Sequence, residues 1–424
     1  VTDLRILCVA ADFPWPEVKG YRIRLANVVR ALASVGDVDG FFVVNDGSPE
    51  RAWDVPPDAE LARVHVCYET GKHSGARLRA RWFTSGLPVE MLWRSWDRAR
   101  AELEAFADGT YDVVWMGHAL PFVALSPVVR GPLIVDLDNL EDRRLRYELD
   151  ADDDPGDGSA AASGLRSRVR RAIDVADVGR WDRLQHRIAR AAELVTLCSD
   201  LDCGRLGVPN CAVVPNGYDL VDGDPHTAHD GTGRDGTGRD GGAPGPPVML
   251  MVGDLFYRPN ADGARWFVNA ILPRVREVLP DAELRLVGRH LDGDRSLASA
   301  EGVSLLGFVP DVTAELHASA AVVVPLRSGG GTRIKVLEAF AHRVPVVSTT
   351  VGCEGLAVED GVHALLADDP DEFARACVRV LTDRPLARSL AGAAFELYDD
   401  RFRWSEIRPR IASLATQVAQ LPAG

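Results

Sequence analysis

Apolar residues fall in short, nearly unbroken runs that alternate with longer stretches of helical spacing. In the first half the runs are "LRILCVA" (4–10), "GFFVV" (40–44), "YDVVWMG" (111–117), "PLIVDLD" (132–138), "ELVTLCS" (193–199) and "CAVVPNG" (211–217). Short apolar runs bounded by turn residues predict buried strands. After the first run, "YRIRLANVVRALASV" (21–35) carries apolar residues three and four apart, which predicts an amphipathic helix. The pattern stops at 222–247, "DGDPHTAHDGTGRDGTGRDGGAPGPP", which has almost no apolar side chains and cannot offset its ordering entropy. It restarts with "VMLMVG" (248–253), a helical stretch over 261–279, "AELRLVG" (282–288), "VSLLGFV" (303–309), "AAVVVPL" (320–326) and "VPVVSTT" (344–350). Apolar strands with helical crossovers imply parallel sheets covered on both faces. The expectation is an α/β chain of two Rossmann-like, doubly wound domains, 1–221 and 248–402, facing a central cleft and joined by the 222–247 linker.

Composition narrows the classes. The 424 residues suit two or three domains, and 46% hydrophobic residues can fill their cores. A net charge of −14 argues against a nucleic-acid partner. No apolar run approaches the roughly 18 residues of a transmembrane segment. The start, "VTDLRILCVAADFPWPE", lacks the charged head and cleavage site of a signal peptide. A cytoplasmic protein is expected, with a peripheral membrane contact left open and the oligomeric state unread. The seven cysteines include no CxxC pair, so buried thiols in a reducing compartment are expected. Gly231, Gly233 and Gly236 match GxGxxG literally, but no strand precedes them and no helix follows, so the match is set aside.

The candidate chemistry lies in "SGGGTRIKVLEAF" (328–340). Val336, Leu337 and Phe340 predict a helix. Gly329, Gly330 and Gly331 let the backbone approach a ligand, and Thr332 suits the N-cap. Arg333 and Lys335 then fall at the positive end of the helix dipole, where acidic residues are usual. Free N–H groups and two cations together make an anion site that a diphosphate would fill. Glu338, one turn deeper, can accept hydrogen bonds from a ribose diol. The stretch is not a Walker A loop, because no glycine precedes the lysine and no Ser or Thr follows it. "DLD" (136–138) looks like a metal-binding DxD but ends a strand, and no metal site is expected.

"VVVPLRSGGGTRIKVLEAFAHRVPVVSTTVGCEGL", "GFVPDV" and "VVPNGYD" resemble the C-terminal half of family-4 glycosyltransferases of the GT-B fold. "DFPWPEVKGYRIRLANVVRAL" and "VGDLFYRPNADGARWFVNAILP" extend the resemblance. It implies transfer of a sugar from a nucleoside-diphosphate donor, a UDP-sugar favoured, to an acceptor hydroxyl, with retention and without metal or cofactor. The acceptor would be a specialised metabolite or a surface glycan. It also implies that the last helix, 403–424, packs back on the first domain. Glu338 matches the second of the family's two glutamates, and Gly330 stands where the first is usual. In "GDLFYRPN" Asp254 replaces the family's arginine, so Arg333, Lys335 and Arg258 would supply the displaced charge. The base would lie near Gly288, Arg289, Phe308 and Val309. Lys19–Gly20 matches the glycine loop that approaches the donor phosphates. His118 would contact the donor sugar and act with Arg333 and Lys335 in catalysis. Trp15, Tyr21 and Asp138 are acceptor-side candidates. A nucleotide-sugar epimerase and a noncatalytic nucleotide-binding scaffold stay open as alternatives.

Overall fold

The computed structural model describes residues 4–17, 20–45, 55–56, 59–69, 71–152, 165–220, 247–289, 295–329 and 333–421. The chain divides into two compact units. One comprises Val1–Arg146, Ser163–Asn216 and Trp404–Gly424, and the other Tyr147–Ala162 and Gly217–Arg403. Gly217–Leu220, assigned by sequence to the first domain, are grouped with the second. There Tyr218 N donates to Phe402 O at 2.9 Å, and the Tyr398 hydroxyl donates to Tyr218 O at 3.0 Å. The expected linker lies outside the described residues, apart from Pro247.

The first unit is built on seven strands: β1 (Leu4–Ala10), β2 (Gly36–Asn45), β3 (Leu61–Glu69), β4 (Val113–Gly117), β5 (Leu133–Asp138), β6 (Leu194–Leu197) and β7 (Cys211–Val213). All pair in parallel, in the order β3-β2-β1-β4-β5-β6-β7. The second has β8 (Val248–Val252), β9 (Glu283–Val287), β10 (Val303–Gly307), β11 (Ala321–Val324), β12 (Val346–Ser348) and β13 (Leu365–Leu366), again parallel, in the order β10-β9-β8-β11-β12-β13. Each chain path runs outward from a central strand and then returns to that strand's other side. The order reverses between β1 and β4 in one sheet and between β8 and β11 in the other. At such a switch point the loops leaving the strand C-termini diverge and open a crevice.

The apolar runs predict these sheets with two omissions, β3 and the two-residue β13. β3, "LARVHVCYE", is an edge strand. It is only half-buried, so it alternates apolar and polar residues instead of forming an apolar run. The helix Gly20–Ala33 buries Leu25, Val28, Val29 and Leu32 in a core shared with Trp404, Ile407, Ile411 and Val418 of the helix Trp404–Ala419. Each such side chain contributes about 1.5–3 kcal/mol when fully buried. The last helix thus completes the core of the unit in which the chain began.

One expectation about cysteine is corrected. Cys203 and Cys211 form a disulfide, with their Cα atoms 5.8 Å apart. The helix Asp200–Leu206 ends at Gly207, whose φ of +65° turns the chain back toward β7 and Cys211. The other five cysteines are free and buried.

Candidate active site

In the second unit the switch-point loops place a lysine over bare backbone. β8 ends at Val252, Gly253 follows it, and the helix Arg258–Trp266 begins just beyond. β11 feeds the loop that leads to the helix Ile334–Ala341. Lys335, in that helix's first turn, donates from Nζ to Asn260 Oδ1 at 2.6 Å. Asn260 Nδ2 in turn donates to Asp254 O at 2.9 Å, so the β8 loop orients the ammonium's partner. A Cβ at Gly253 would lie 2.9 Å from Lys335 Nζ, so glycine leaves room for the ammonium. A Cβ at Gly288 would come within 2.0 Å of Gly253 O, and Gly288 has φ +141°; glycine is required where these two loops cross.

The electrostatics fit an anion. No carboxylate of the described residues lies within ion-pair distance of Lys335. Burial, and then the Arg333 guanidinium, push the Lys335 ammonium down to about 7, with Glu338 pulling the other way. Burial pushes the Glu338 carboxyl up to about 7 against the pull of Lys335. A bound anion would restore the charge on Lys335.

Arg333 has a different place from the one expected. It occupies the cap position (φ −82°, ψ 73°) rather than the first turn, and it is buried. Its Nη2 donates to Gly329 O at 2.9 Å, and its Nε and Nη2 reach Val351 O at 3.3 Å. It ties the glycine loop to the 351 loop while adding positive potential beside Lys335. Arg289 is likewise engaged: its guanidinium forks onto the Asp254 carboxylate, Nε at 3.0 Å. Arg258 is exposed at the first residue of its helix. Val309 is half-buried, and Phe308 is 71% exposed. Gly330, Gly331, Thr332 and Lys19 lie outside the described residues.

At the switch point of the first unit lies a cavity of about 230 Å³. The loop after β1 contributes Ala11, the helix Gly20–Ala33 contributes Tyr21, and the loop after β4 contributes His118. Asn139, Glu90 and Trp181 extend the lining to the helix Leu165–Ala191 and the turn Val89–Leu92. His118 sits before the helix Ala119–Leu125 with φ +73°, strained for a residue with a Cβ. Its ring lies 4.4 Å from that of Tyr21, and its N–H donates to Asp136 O at 2.7 Å. Asn139 Oδ1 is buried and meets no partner among the described residues. An apolar wall with a few convergent polar groups suits a hydroxylated ring.

Beneath the cavity a buried network fixes the ends of β5, β6 and β7. Arg24, fully buried, grips Asp136 with Nε at 2.8 Å and Nη2 at 2.6 Å, and donates from Nη1 to Val214 O at 2.8 Å. Thr196 Oγ1 donates to Asp136 as well. Burial alone would raise the Asp136 carboxyl, but Arg24 holds it below its ordinary value. Asp138 accepts from Asn216 Nδ2 at 2.9 Å and Cys198 Sγ at 2.7 Å. Two acceptor-side assignments are therefore corrected. Asp138 is held within this network, and its neighbour Asn139 lines the cavity instead. Trp15 is 5% exposed and packs on Phe13 in the core, so it presents no face to a ligand. Tyr21 and His118 do line the cavity; Gly20 begins the helix that carries Tyr21. Asn139, Glu90 and Trp181 have no motif around them, and Asn260 ends the GDLFYRPN stretch without being singled out by it; their places beside Lys335 and the cavity emerge only when the chain folds.

The chain resembles known proteins in part of its sequence and in its fold. Residues 246–383 match the family model described as "Glycosyl transferases group 1". An uncharacterized 44.6 kDa protein in the cps region of Klebsiella pneumoniae is 27% identical over 172 residues; the match spans 38% of this chain and 44% of that relative. Among solved structures, sucrose-phosphate synthase from Thermosynechococcus elongatus superposes with a TM-score of 0.66 at 17% identity, covering 98% of this chain and 99% of that one. The Anabaena protein Alr3699/HepE, solved in complex with UDP-glucose, has a TM-score of 0.59 at 16% identity, covering 97% and 100%. At these identities the likeness is one of fold, and the fold is GT-B: two parallel, doubly wound α/β units.

Proposed function

We propose that the protein is a retaining glycosyltransferase that moves a sugar from a nucleoside-diphosphate donor, UDP-sugars first among the candidates, to an acceptor hydroxyl without a metal ion. The carrying observation is Lys335: a half-buried ammonium with one amide partner and no paired carboxylate among the described residues, standing over glycine backbone at a switch point. The match of residues 246–383 to the group 1 model and the UDP-glucose complex of the Anabaena protein support the same reading. In this account the diphosphate lies against Lys335 and the start of the helix Ile334–Ala341, and Glu338 accepts from the ribose. The acceptor occupies the cavity beside His118 and Tyr21. The bond from the anomeric carbon to the diphosphate breaks as the acceptor oxygen attacks from the same face, and the departing diphosphate takes the acceptor's proton. Lys335, the helix-start N–H groups and Arg333 stabilise the charge that gathers on the leaving group.

The stereochemical claim has a direct test. With UDP-α-glucose and water as the default acceptor, proton NMR taken before mutarotation should show α-glucose appearing first. β-Glucose as first product would refute retention. Persistently intact UDP-sugars, with no UDP released from any of them, would refute catalysis of this kind.

A further inference from the structure

The chain carries a net charge of −14, yet Gly71–Val89 contains no acidic residue and holds Lys72, Arg77, Arg79 and Arg81. Most of this segment is the helix Gly75–Ser85, which buries none of its residues. Helical spacing sorts its side chains. Leu78 and Trp82, four apart, form its less exposed side. Ala76, Ala80 and Phe83 line the outer side at positions i, i+4 and i+7, with Phe83 74% exposed. Arg79 flanks that stripe on one edge, and Arg77 and Arg81 on the other. Trp93 is 58% exposed; its carbonyl accepts from His73 N at 2.9 Å, which places it beside the start of the same helix. Isolated exposed apolar residues are ordinary, but a stripe bearing Phe83 and framed by arginines, with a second exposed aromatic beside the helix start, is not.

This surface is fastened to the cavity wall. Asp177, nearly fully buried, accepts from Trp82 Nε1 and from Val89 N, both at 2.7 Å. Arg180 stacks on the Trp82 ring at 3.8 Å and donates to Leu87 O at 3.0 Å. The helix Gly75–Ser85, the turn Val89–Leu92 and the helix Leu165–Ala191 are thus joined through one carboxylate and one guanidinium. The same turn supplies Glu90 and Met91 to the cavity, and the same long helix supplies Trp181.

We propose that the helix Gly75–Ser85 and Trp93 form a docking surface for an anionic lipid bilayer, holding the cavity of the first unit at the membrane face. Charge complementarity selects the occupant: arginines on an acidic protein favour anionic headgroups, and Phe83 and Trp93 suit the interface, where aromatic rings lodge. Docking stands independently of the donor assignment. Its consequence, that the acceptor hydroxyl belongs to a lipid-anchored molecule, rests on the glycosyltransferase reading.

The test is sedimentation of the full-length protein with vesicles of phosphatidylglycerol mixed with phosphatidylcholine, against phosphatidylcholine alone, with no nucleotide present. The wild type should bind only the anionic vesicles, and less so as salt rises. R77Q/R79Q/R81Q should lower the partition about a hundredfold, and F83S/W93S about tenfold, with unchanged UDP affinity and melting temperature. In the wild type, brominated acyl chains should quench tryptophan fluorescence. Failure to bind anionic vesicles at low salt, or absence of quenching, overturns the proposal. So does binding that the arginine variant loses and the aromatic variant keeps, because that is attraction to any polyanion. Loss of UDP binding in wild type would instead strike the donor reading and leave this one standing.

Discussion

Lys335 concentrates the account at the scale of one residue. Its ammonium is pushed down to about 7, so the free site is half charged near neutral pH. A bound diphosphate favours the charged form and raises that value. Binding near pH 8 should therefore take up a proton, seen as a binding enthalpy that varies with the ionisation enthalpy of the buffer. Affinity for UDP should fall as pH rises above 7, by at most about tenfold per unit. The terminal phosphate, with a second pKa of about 6, can only gain negative charge as pH rises, which would favour binding, so the ligand does not mimic the effect. A Kd flat from below pH 7 to above pH 8 would contradict the assignment. The sequence reveals Lys335 because a cation after three glycines at a helix start conflicts with the dipole. Asn260 and Asn139 give no such signal, since each acquires its role from a neighbour distant in sequence or from a cavity wall. Trp15 is misleading for a related reason: a tryptophan in a proline-rich turn reads alike whether its ring meets ligand or core.

Among the elements, the switch points organise both sites, one through a backbone crossing and the other through a buried ion pair. Gly288→Ala would drive a Cβ into Gly253 O at 2.0 Å and strain a φ of +141°. It should lower stability by at least about 1–3 kcal/mol and weaken nucleotide binding by displacing the β8 loop, as chemical denaturation and calorimetry would show. In the first unit the corresponding device is ionic. Arg24→Leu leaves a buried carboxylate at Asp136 and should cost about 3–5 kcal/mol at neutral pH. The wild-type Asp136 value is depressed, so its stabilisation is lost as pH falls; in the variant Asp136 protonates readily instead. The stability gap between the two should therefore narrow toward acid pH. A gap that widens would mean that Asp136 carries no charge in the wild type. Strands of continuous apolar residues are plain in the sequence. β3 is not, because a half-buried edge strand carries the weaker alternating pattern.

In the molecule as a whole, the chain leaves its first unit for the last time after Asn216 and returns to it at Trp404. Ile411 is fully buried among the residues of the helix Gly20–Ala33. Ile411→Ala should cost about 2–5 kcal/mol. Hydrogen exchange should show the loss of protection in the helix Gly20–Ala33 and β1, with β8–β12 unchanged. Two Rossmann-like halves are legible from the alternation of runs, whereas the contacts of Gly217–Leu220 with Tyr398 and Phe402 are not, since they link residues about 180 positions apart.

Binding of a nucleoside diphosphate at Lys335 is measured by titration calorimetry. Wild type and Lys335→Ala would each be titrated with UDP, GDP, ADP and TDP. One nucleotide, UDP first among them, should bind the wild type, and the substitution should weaken it at least about tenfold, the loss of a charge-assisted contact. Equal binding by both proteins, or none by the wild type, would contradict that assignment.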